Sequence, residues 1–481
     1  MQFFDSKRQH LSAGLLVKTL LAMGLAASLL SSLVSFKSIQ IMPAYSGMEE
    51  QLFLTISIAA LFLTGIGLIS EYTLSAITFA SSLLIPEKSQ VLIMSGFTSG
   101  NVYIVLSFFI VACVIQKSQI FQRMIVLLLL RFAHRPACLE KLLFLIGLLM
   151  TPILSVQSTR VAIMAPVLDN IVSISGYKPQ GKAANAMANA AFSGCVLLST
   201  VFLTGKSSNY LLFSAMSSSD SLSNAWLVWL SFAAFPGILL VAAFFLIHSI
   251  AYKAPEVPEI KRFSLLKTCY KLGPISAKEY ASLLSIAVLI ASLALRSILP
   301  VHPLFIALLT ASIPLCFGLL RVKDFSNHIN WKFICYLATM IGIMKFINGM
   351  KLPLWIAQVH NWLSPASQNI FIFIFLLFAL SWLLCIIFGT MIAPGIAFTL
   401  LAPVLASGSV NQWIIAFVIL MATESWIFPY QSSYFLCFKK LLNQQQNFEL
   451  KPVLITNALL AIAKIAVIYA SIPYWRYLGL L

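Results

Sequence analysis

The sequence predicts an all-α polytopic membrane protein with two inverted-topology repeats, about eleven transmembrane helices, two re-entrant hairpins and two broken helices. Three observations carry that expectation. Of 481 residues, 60% are hydrophobic and 9% charged, with a mean hydropathy of +0.95; a soluble chain carries about 25% charged residues. Apolar runs of roughly 20 residues, the length that crosses a bilayer core, recur from end to end. Two such runs break in a similar way, at LTGKSSNYLLF from Leu203 and at IFPYQSSYFLCF from Ile427. The runs are continuous rather than alternating, which excludes a transmembrane β-barrel.

The net charge of +17 does not point to nucleic acid. The basic residues lie between apolar runs, where the positive-inside rule places cytoplasmic loops. The eight cysteines are scattered without a CxxC pair and the six histidines are isolated, so neither a disulfide framework nor a metal site is expected.

The first apolar run, Leu11 to Val34, follows Lys7 and Arg8. It exceeds a signal-peptide core and lacks a small-residue cleavage site, so residues 1–47 are read as a retained helix with a cytoplasmic N-terminus. Repeat 1 spans 48–252. Leu52 to Ser70 returns inward, the shorter Thr73 to Ile85 goes out, and Asn101 to Gln116 comes back. It lands on Lys117, Arg123, Arg131, Arg135 and Lys141 against Glu140, a cytoplasmic signature containing an interfacial helix at Phe121–Phe132. Residues 141–172 form two short apolar arms around a polar centre, Ser155–Arg160, which suits a re-entrant hairpin. A helix over 183–215 breaks at Thr204–Asn209, and Ala225 to Tyr252 returns. Residues 253–278 make a basic cytoplasmic linker.

Repeat 2, 279–481, follows the same plan. Tyr280–Ile298 and Pro303–Leu320 lead to the cytoplasmic RVKDFSNHINWK, and Phe333–Ile347 runs out to Lys351. A second hairpin covers 370–405, and a helix over 412–438 breaks at FPYQSSYF before Lys439, Lys440 and Lys451. Val453–Ser471 leaves the C-terminus outside. APVL at Ala165–Leu168 recurs at Ala402–Leu405, each time ending a hairpin and preceding a helix broken at a Ser-Ser pair, Ser207–Ser208 and Ser432–Ser433. Inverted repeats with discontinuous helices are a transporter signature, with the site at the repeat interface.

These stretches also resemble a known family. SGFTSGNVYIVLSFFIVACVIQKSQIFQRMIVLLL and GKAANAMANAAFSGCVLLSTVFLTGKSSNYLL look like segments of the divalent anion:sodium symporters of the ion transporter superfamily, a likeness covering nearly the whole chain. The resemblance implies a secondary transporter of dicarboxylates, citrate or sulfate, working by an elevator mechanism as a homodimer, either coupled to Na+ or H+ or running as an exchanger, with no cofactor. The expected setting is a bacterial inner membrane. The family's broken helix carries Gly-Thr-Pro-Pro-Asn, where this chain has Gly205, Lys206, Ser207, Ser208 and Asn209, and in the second repeat Tyr430, Gln431, Ser432, Ser433 and Tyr434. The family's Ser-Asn-Thr hairpin tips fall on Val156, Gln157 and Ser158 and on Ala393, Pro394 and Gly395, with Gly389–Met391 a second candidate. The lost hydroxyls remove hard-cation ligands, although backbone carbonyls still serve.

Lys206 is the most informative residue. A membrane-buried ammonium at a helix break needs a partner, and two readings are open: an anion receptor aided by free amides at the half-helix start, or an internal pair with Glu424. Arg160 offers a bidentate fork to a carboxylate or sulfate, or stays hydrated in a vestibule. Gln157, Ser158, Thr159, Ser207, Ser208, Asn209, Gln431, Ser432 and Ser433 offer neutral hydrogen bonds to a substrate, or satisfy loose backbone. Ser155, Gly205, Thr390 and Glu424 are coupling-ion candidates, Glu424 as a proton carrier or as the counter-charge of Lys206. Asp169 and Lys345 are expected to snorkel, and Asn185 and Asn189 to join helices. The alternatives are a lipid-modifying membrane enzyme, for which the dispersed acids supply no catalytic cluster, and a transporter fold that no longer transports.

Overall fold

The computed structural model describes residues 48–118, 120–132, 139–175, 180–216, 225–252, 274–295, 301–321, 323–324, 329–349, 369–405, 410–442, 448–449 and 451–481. The expected helix at Leu11–Val34, most of the basic linker and the region of Lys351 lie outside them. Among the described residues all regular structure is helical.

The chain begins with α1 (Met48–Ile66) and α2 (Glu71–Ser82), the latter capped by the Ser70 hydroxyl, which accepts from the Thr73 amide at 3.2 Å. The run expected at Thr73–Ile85 is matched by α2, and a further short helix, α3 (Glu87–Met94), follows it after a break at Leu83–Pro86. Pro86 has no amide hydrogen to continue α2 and stands as the N-cap of α3. Then come α4 (Gly100–Ser118) and α5 (Ile120–Phe132), whose Arg123 pairs with Glu279 at 2.7 Å.

Helices α6 (Leu139–Met150) and α7 (Gln157–Ser175) flank a non-helical turn. Next is a helix in two pieces, α8 (Lys182–Val196) and α9 (Ser207–Met216), with a 3-10 turn at Leu203–Gly205 between them. The interruption therefore starts earlier than the expected Thr204–Asn209 and shares Thr204, Gly205 and Lys206 with it, while Ser207, Ser208 and Asn209 form the first turn of α9. After α10 (Ala225–Ala251), α11 (Ala277–Leu295), α12 (Pro303–Cys316) and α13 (Trp331–Gly349), α14 (Ile370–Leu405) leaves helical geometry at Gly389, with φ 76° and ψ 174°. A second two-piece helix, α15 (Gln412–Thr423) and α16 (Ser433–Leu442), encloses a 3-10 turn at Pro429–Gln431, and α17 (Lys451–Tyr477) ends the chain.

Four described helical stretches are long and apolar enough to cross a membrane alone: Gly100–Ser118, Trp226–Ala251, Ile370–Leu401 and Lys451–Tyr477. Met48–Ile66, Ala277–Leu295 and Trp331–Gly349 are each continuous over 19 residues but less apolar, and the remaining expected crossings are short or in two pieces.

Packing sorts the helices into two groups. Helices α6 to α10 and α14 to α17 form one, with α6 lying along α8, α14 along α15, α10 along α17 and α7 against α16. The α6–α8 crossing is a backbone contact: a Cβ at Gly147 would stand 2.6 Å from the Cys195 amide nitrogen, so only glycine fits. Helices α1 to α4 and α11 to α13 form the other group, through α4–α12, α11–α12 and α13 against α2 and α3, while α5 touches α6 and α7 of the first group and α11 of the second. Polar links between the groups include Asn101 to Ser214 at 2.5 Å, Gln116 to Thr159 at 3.1 Å, and the Tyr336 hydroxyl to the Ile392 carbonyl at 3.1 Å.

Candidate functional site

Interrupting a helix in a bilayer frees carbonyls and amides that water cannot reach, so the protein must satisfy them itself. Between α15 and α16 four successive carbonyls each receive a side chain. The Cys385 thiol donates to Thr423 O at 3.0 Å, Lys464 to Glu424 O at 2.8 Å, Trp382 to Ser425 O at 2.8 Å, and Asn457 to Trp426 O. Gln431 then braces the loop, its Oε1 accepting from the Ile427 and Phe428 amides at 2.8 and 2.6 Å while its Nε2 donates to Cys385 O at 3.2 Å. Ser432 caps α16 by accepting from the Phe435 amide at 3.1 Å.

Between α8 and α9 the same task falls to Arg160, Asn209 and Trp229. Asn209 Nδ2 donates to Ser199 O and Phe202 O at 2.8 and 2.9 Å, and Trp229 Nε1 to Thr200 O at 3.0 Å. Arg160 is 0% exposed. Its guanidinium donates to Cys195 O at 2.6 Å, Gly205 O at 2.8 Å, Leu154 O and Ser199 Oγ at 2.7 Å, tying the α6–α7 turn to the broken helix. The geometry thus corrects the fork expected of Arg160: its donors already hold the fold, because the fully buried side chain lies among carbonyls that the interruption frees.

The two interruptions meet at one ion pair. Lys206, extended at the start of α9, bonds Glu424, which terminates α15. Gln157 Nε2, at the start of α7, donates to the same carboxylate at 2.7 Å, and the Tyr434 hydroxyl of α16 donates to it too. Aromatic rings enclose the cluster, with Phe192 6.1 Å from Tyr434 and 6.0 Å from Trp426 between ring centroids. Lys206 and Glu424 are 5% and 3% exposed. An ammonium seated at a helix N-terminus with a displaceable internal carboxylate can hold an anion.

Of the other expected residues, Thr159 accepts from Gln116, and Gly205 is buried with its carbonyl on Arg160. Ser158 and Ser207 are half-buried, and Ser433 is exposed at the start of α16. Ser155 Oγ, Ser208 Oγ and Asn209 Oδ1 are buried and meet no protein partner. Thr390 is buried directly after Gly389. The kink thus falls on the candidate Gly389–Met391, while Ala393, Pro394 and Gly395 are helical and buried. A Cβ at Gly389 would stand 3.0 Å from Gln431 O. Gly389→Ala is therefore expected to lower stability by about 1–3 kcal/mol, read as a lower thermal unfolding midpoint in detergent.

Asn185 and Asn189 do bridge elements: Asn185 Oδ1 accepts from the Glu449 amide at 2.9 Å, and Asn189 pairs with His248 at 3.0 Å. Sequence reasoning missed Lys464, Trp382, Cys385 and Asn457, and it named Tyr434 without a role. Lys464 had a visible signal, a lone lysine in the apolar ALLAIAKIAVIYA. The others are unremarkable by residue type.

Comparison with known proteins adds two findings. A family model described as sodium:sulfate symporter transmembrane region matches residues 24–481. Inner membrane protein YbhI of Escherichia coli (strain K12) is 20% identical over 360 residues, covering 70% of this chain and 74% of that protein.

Proposed function

We propose, from the premise that this chain belongs to the sodium:sulfate symporter family, that the Lys206–Glu424 cluster is the seat of a small dicarboxylate, tricarboxylate or sulfate. The family consists of membrane transporters and not enzymes, so the chain is a secondary anion transporter and the lipid-enzyme alternative falls. The observation that carries the site is the ion pair at the junction of the two interruptions. Lys206 there stands at the start of a half-helix, and Glu424 holds it as an incoming carboxylate would. In this reading the anion displaces Glu424, which keeps its bonds to Tyr434 and Gln157.

Translocation follows from the two packing groups. The helices bearing the cluster move as one body, elevator-like, against α1 to α4 and α11 to α13, carrying the anion between the faces of a bacterial inner membrane in a homodimer. The inner-membrane placement draws on the relative YbhI. The halves are oriented oppositely, with the N-terminus inside and the C-terminus outside.

Uptake of labelled dicarboxylates, citrate and sulfate into proteoliposomes tests the reading. Wild-type protein should take up at least one of the panel, and failure on all of them favours a fold that no longer transports. A disulfide between Asn101→Cys and Ser214→Cys, in a background without native cysteines, should stop uptake when oxidised and release it on reduction. Unimpeded uptake in the cross-linked protein would sink the sliding motion.

A further inference from the structure

A basic cavity lies where three helix ends of the second packing group meet, among residues that the Lys206–Glu424 cluster does not use. Helix α4 ends at Ser118, α11 begins at Ala277 and α12 ends at Cys316. The cavity, of about 330 Å³, is lined by Lys117, Lys278, Gly318, Leu319, Arg321 and Asp324. Its volume falls in the range of ligand sites, roughly 300–1,000 Å³.

The local chain builds it. Gly318 turns back with φ 65°, its amide donating to Leu315 O at 3.0 Å while that of Leu319 donates to Pro314 O at 2.8 Å. This glycine cap closes α12, buries Leu319 and brings Arg321 to the ends of α4 and α11. Asp324 Oδ2 then accepts from the Arg321 amide at 2.6 Å and from Lys117 Nζ at 2.6 Å. One carboxylate therefore meets three cations. Lys117 is matched by Asp324, whereas among the described residues no carboxylate stands within ion-pair distance of Lys278 or Arg321. Glu279, next to Lys278, is turned onto Arg123 and the Ser276 amide.

A lone exposed lysine is ordinarily just hydrated, but here two unmatched cations converge on one cavity with apolar surface beside it. Within two turns of the cavity Tyr280, Leu283 and Leu284 of α11 are exposed, as are Leu315 and Phe317 at the end of α12. A free anion would use the cavity alone. A molecule with a charged head and hydrocarbon tails matches both the cavity and the apolar faces.

We propose that this cavity seats the headgroup of an anionic phospholipid, its phosphate oxygens on Lys278 and Arg321 and its acyl chains along α11 and α12. Two unmatched cations favour a headgroup with two phosphates, as in cardiolipin, over one with a single phosphate. Basic pockets between helix ends on the cytoplasmic side hold such headgroups, and the basic loops assign these ends to that side. The bound lipid ties α4, α11 and α12 together beside the Arg123–Glu279 pair that anchors α5. This site is independent of the reading of Lys206 as the anion seat.

The test uses full-length protein, delipidated in detergent and titrated with cardiolipin, phosphatidylglycerol or phosphatidylcholine, with bound lipid counted by native mass spectrometry. Cardiolipin should bind tightest and phosphatidylcholine weakest. Lys278→Gln combined with Arg321→Gln should weaken cardiolipin binding about thirtyfold, the loss of two charges at ~1 kcal/mol each. Lys439→Gln combined with Lys440→Gln, which removes two exposed cations at the end of α16, should leave it unchanged. Equal binding of the three lipids, or equal losses in the two double variants, overturns the proposal. Inorganic phosphate in excess, at matched ionic strength, should not displace the lipid; displacement makes the cavity a site for soluble phosphate and overturns the lipid assignment. If the Lys278 and Arg321 variant fails to fold, the lipid ranking and the phosphate competition on wild-type protein decide.

Discussion

Replacing Lys206 with alanine is expected to abolish anion uptake and to destabilise the protein together. The ammonium pairs with a carboxylate that is itself buried. Removing one partner of such a pair leaves the other charge uncompensated, at about 3–5 kcal/mol. Lys464 stands on the carbonyl of the same glutamate and tempers the loss without replacing the bond. The two effects separate in a double variant. Glu424→Gln added to Lys206→Ala removes the stranded charge while still accepting from Tyr434 and Gln157, so thermal stability in detergent should largely return. Uptake should not, because the anion has lost its ammonium. If the double variant transports like wild type, Lys206 serves only Glu424 and the site lies elsewhere.

Arg160→Met should be the most damaging single change to assembly. Methionine is similarly long and apolar, but it strands the carbonyls of Leu154, Cys195 and Gly205 and the Ser199 hydroxyl. Each buried polar group left without a partner costs about 1–3 kcal/mol, and a folded domain has only ~5–15 kcal/mol to lose. The expected result is loss of the monodisperse peak on size-exclusion chromatography. Arg160→Lys should rescue part of it, since an ammonium reaches some of the same oxygens but lacks the planar fork. A well-folded Arg160→Met with weakened substrate affinity would instead make the guanidinium a ligand contact. Asn209→Ala should be milder, because it releases only Ser199 O and Phe202 O from strong bonds.

The two sets of residues differ in how readable they were. Lys206 and Glu424 stand out because each is a lone charge in an apolar stretch, and bilayer-buried charges of opposite sign seek each other whatever the details of packing. Arg160 also stood out, but its direction did not. A guanidinium beside a polar turn can face a vestibule or turn inward, and here four oxygen acceptors from distant parts of the chain decided it. Of the two tip candidates, Ala393–Gly395, from counting back from Pro403, is continuous helix, and the kink falls on the other, Gly389–Met391. Its position at Gly389 depends on a positive φ and on the approach of Gln431, 42 residues further along the chain. Lys464 was legible as an oddity, yet its partner is a backbone carbonyl, which has no signature in residue type.

By itself the sequence determined the solvent and the helical class, since composition and the length of apolar runs act locally and additively, and its quoted stretches carried the resemblance to the family. It also marked where helices would be interrupted, to within a turn or so, because proline, glycine and polar residues weaken helix wherever they stand in lipid. Only the tertiary structure decided which freed carbonyl met which side chain, and so which cations were bound into the framework and which one met a carboxylate. Those choices depend on distances between segments far apart in the chain, and hydrogen bonds discriminate over tenths of an ångström while residue type reports only what a side chain is able to offer.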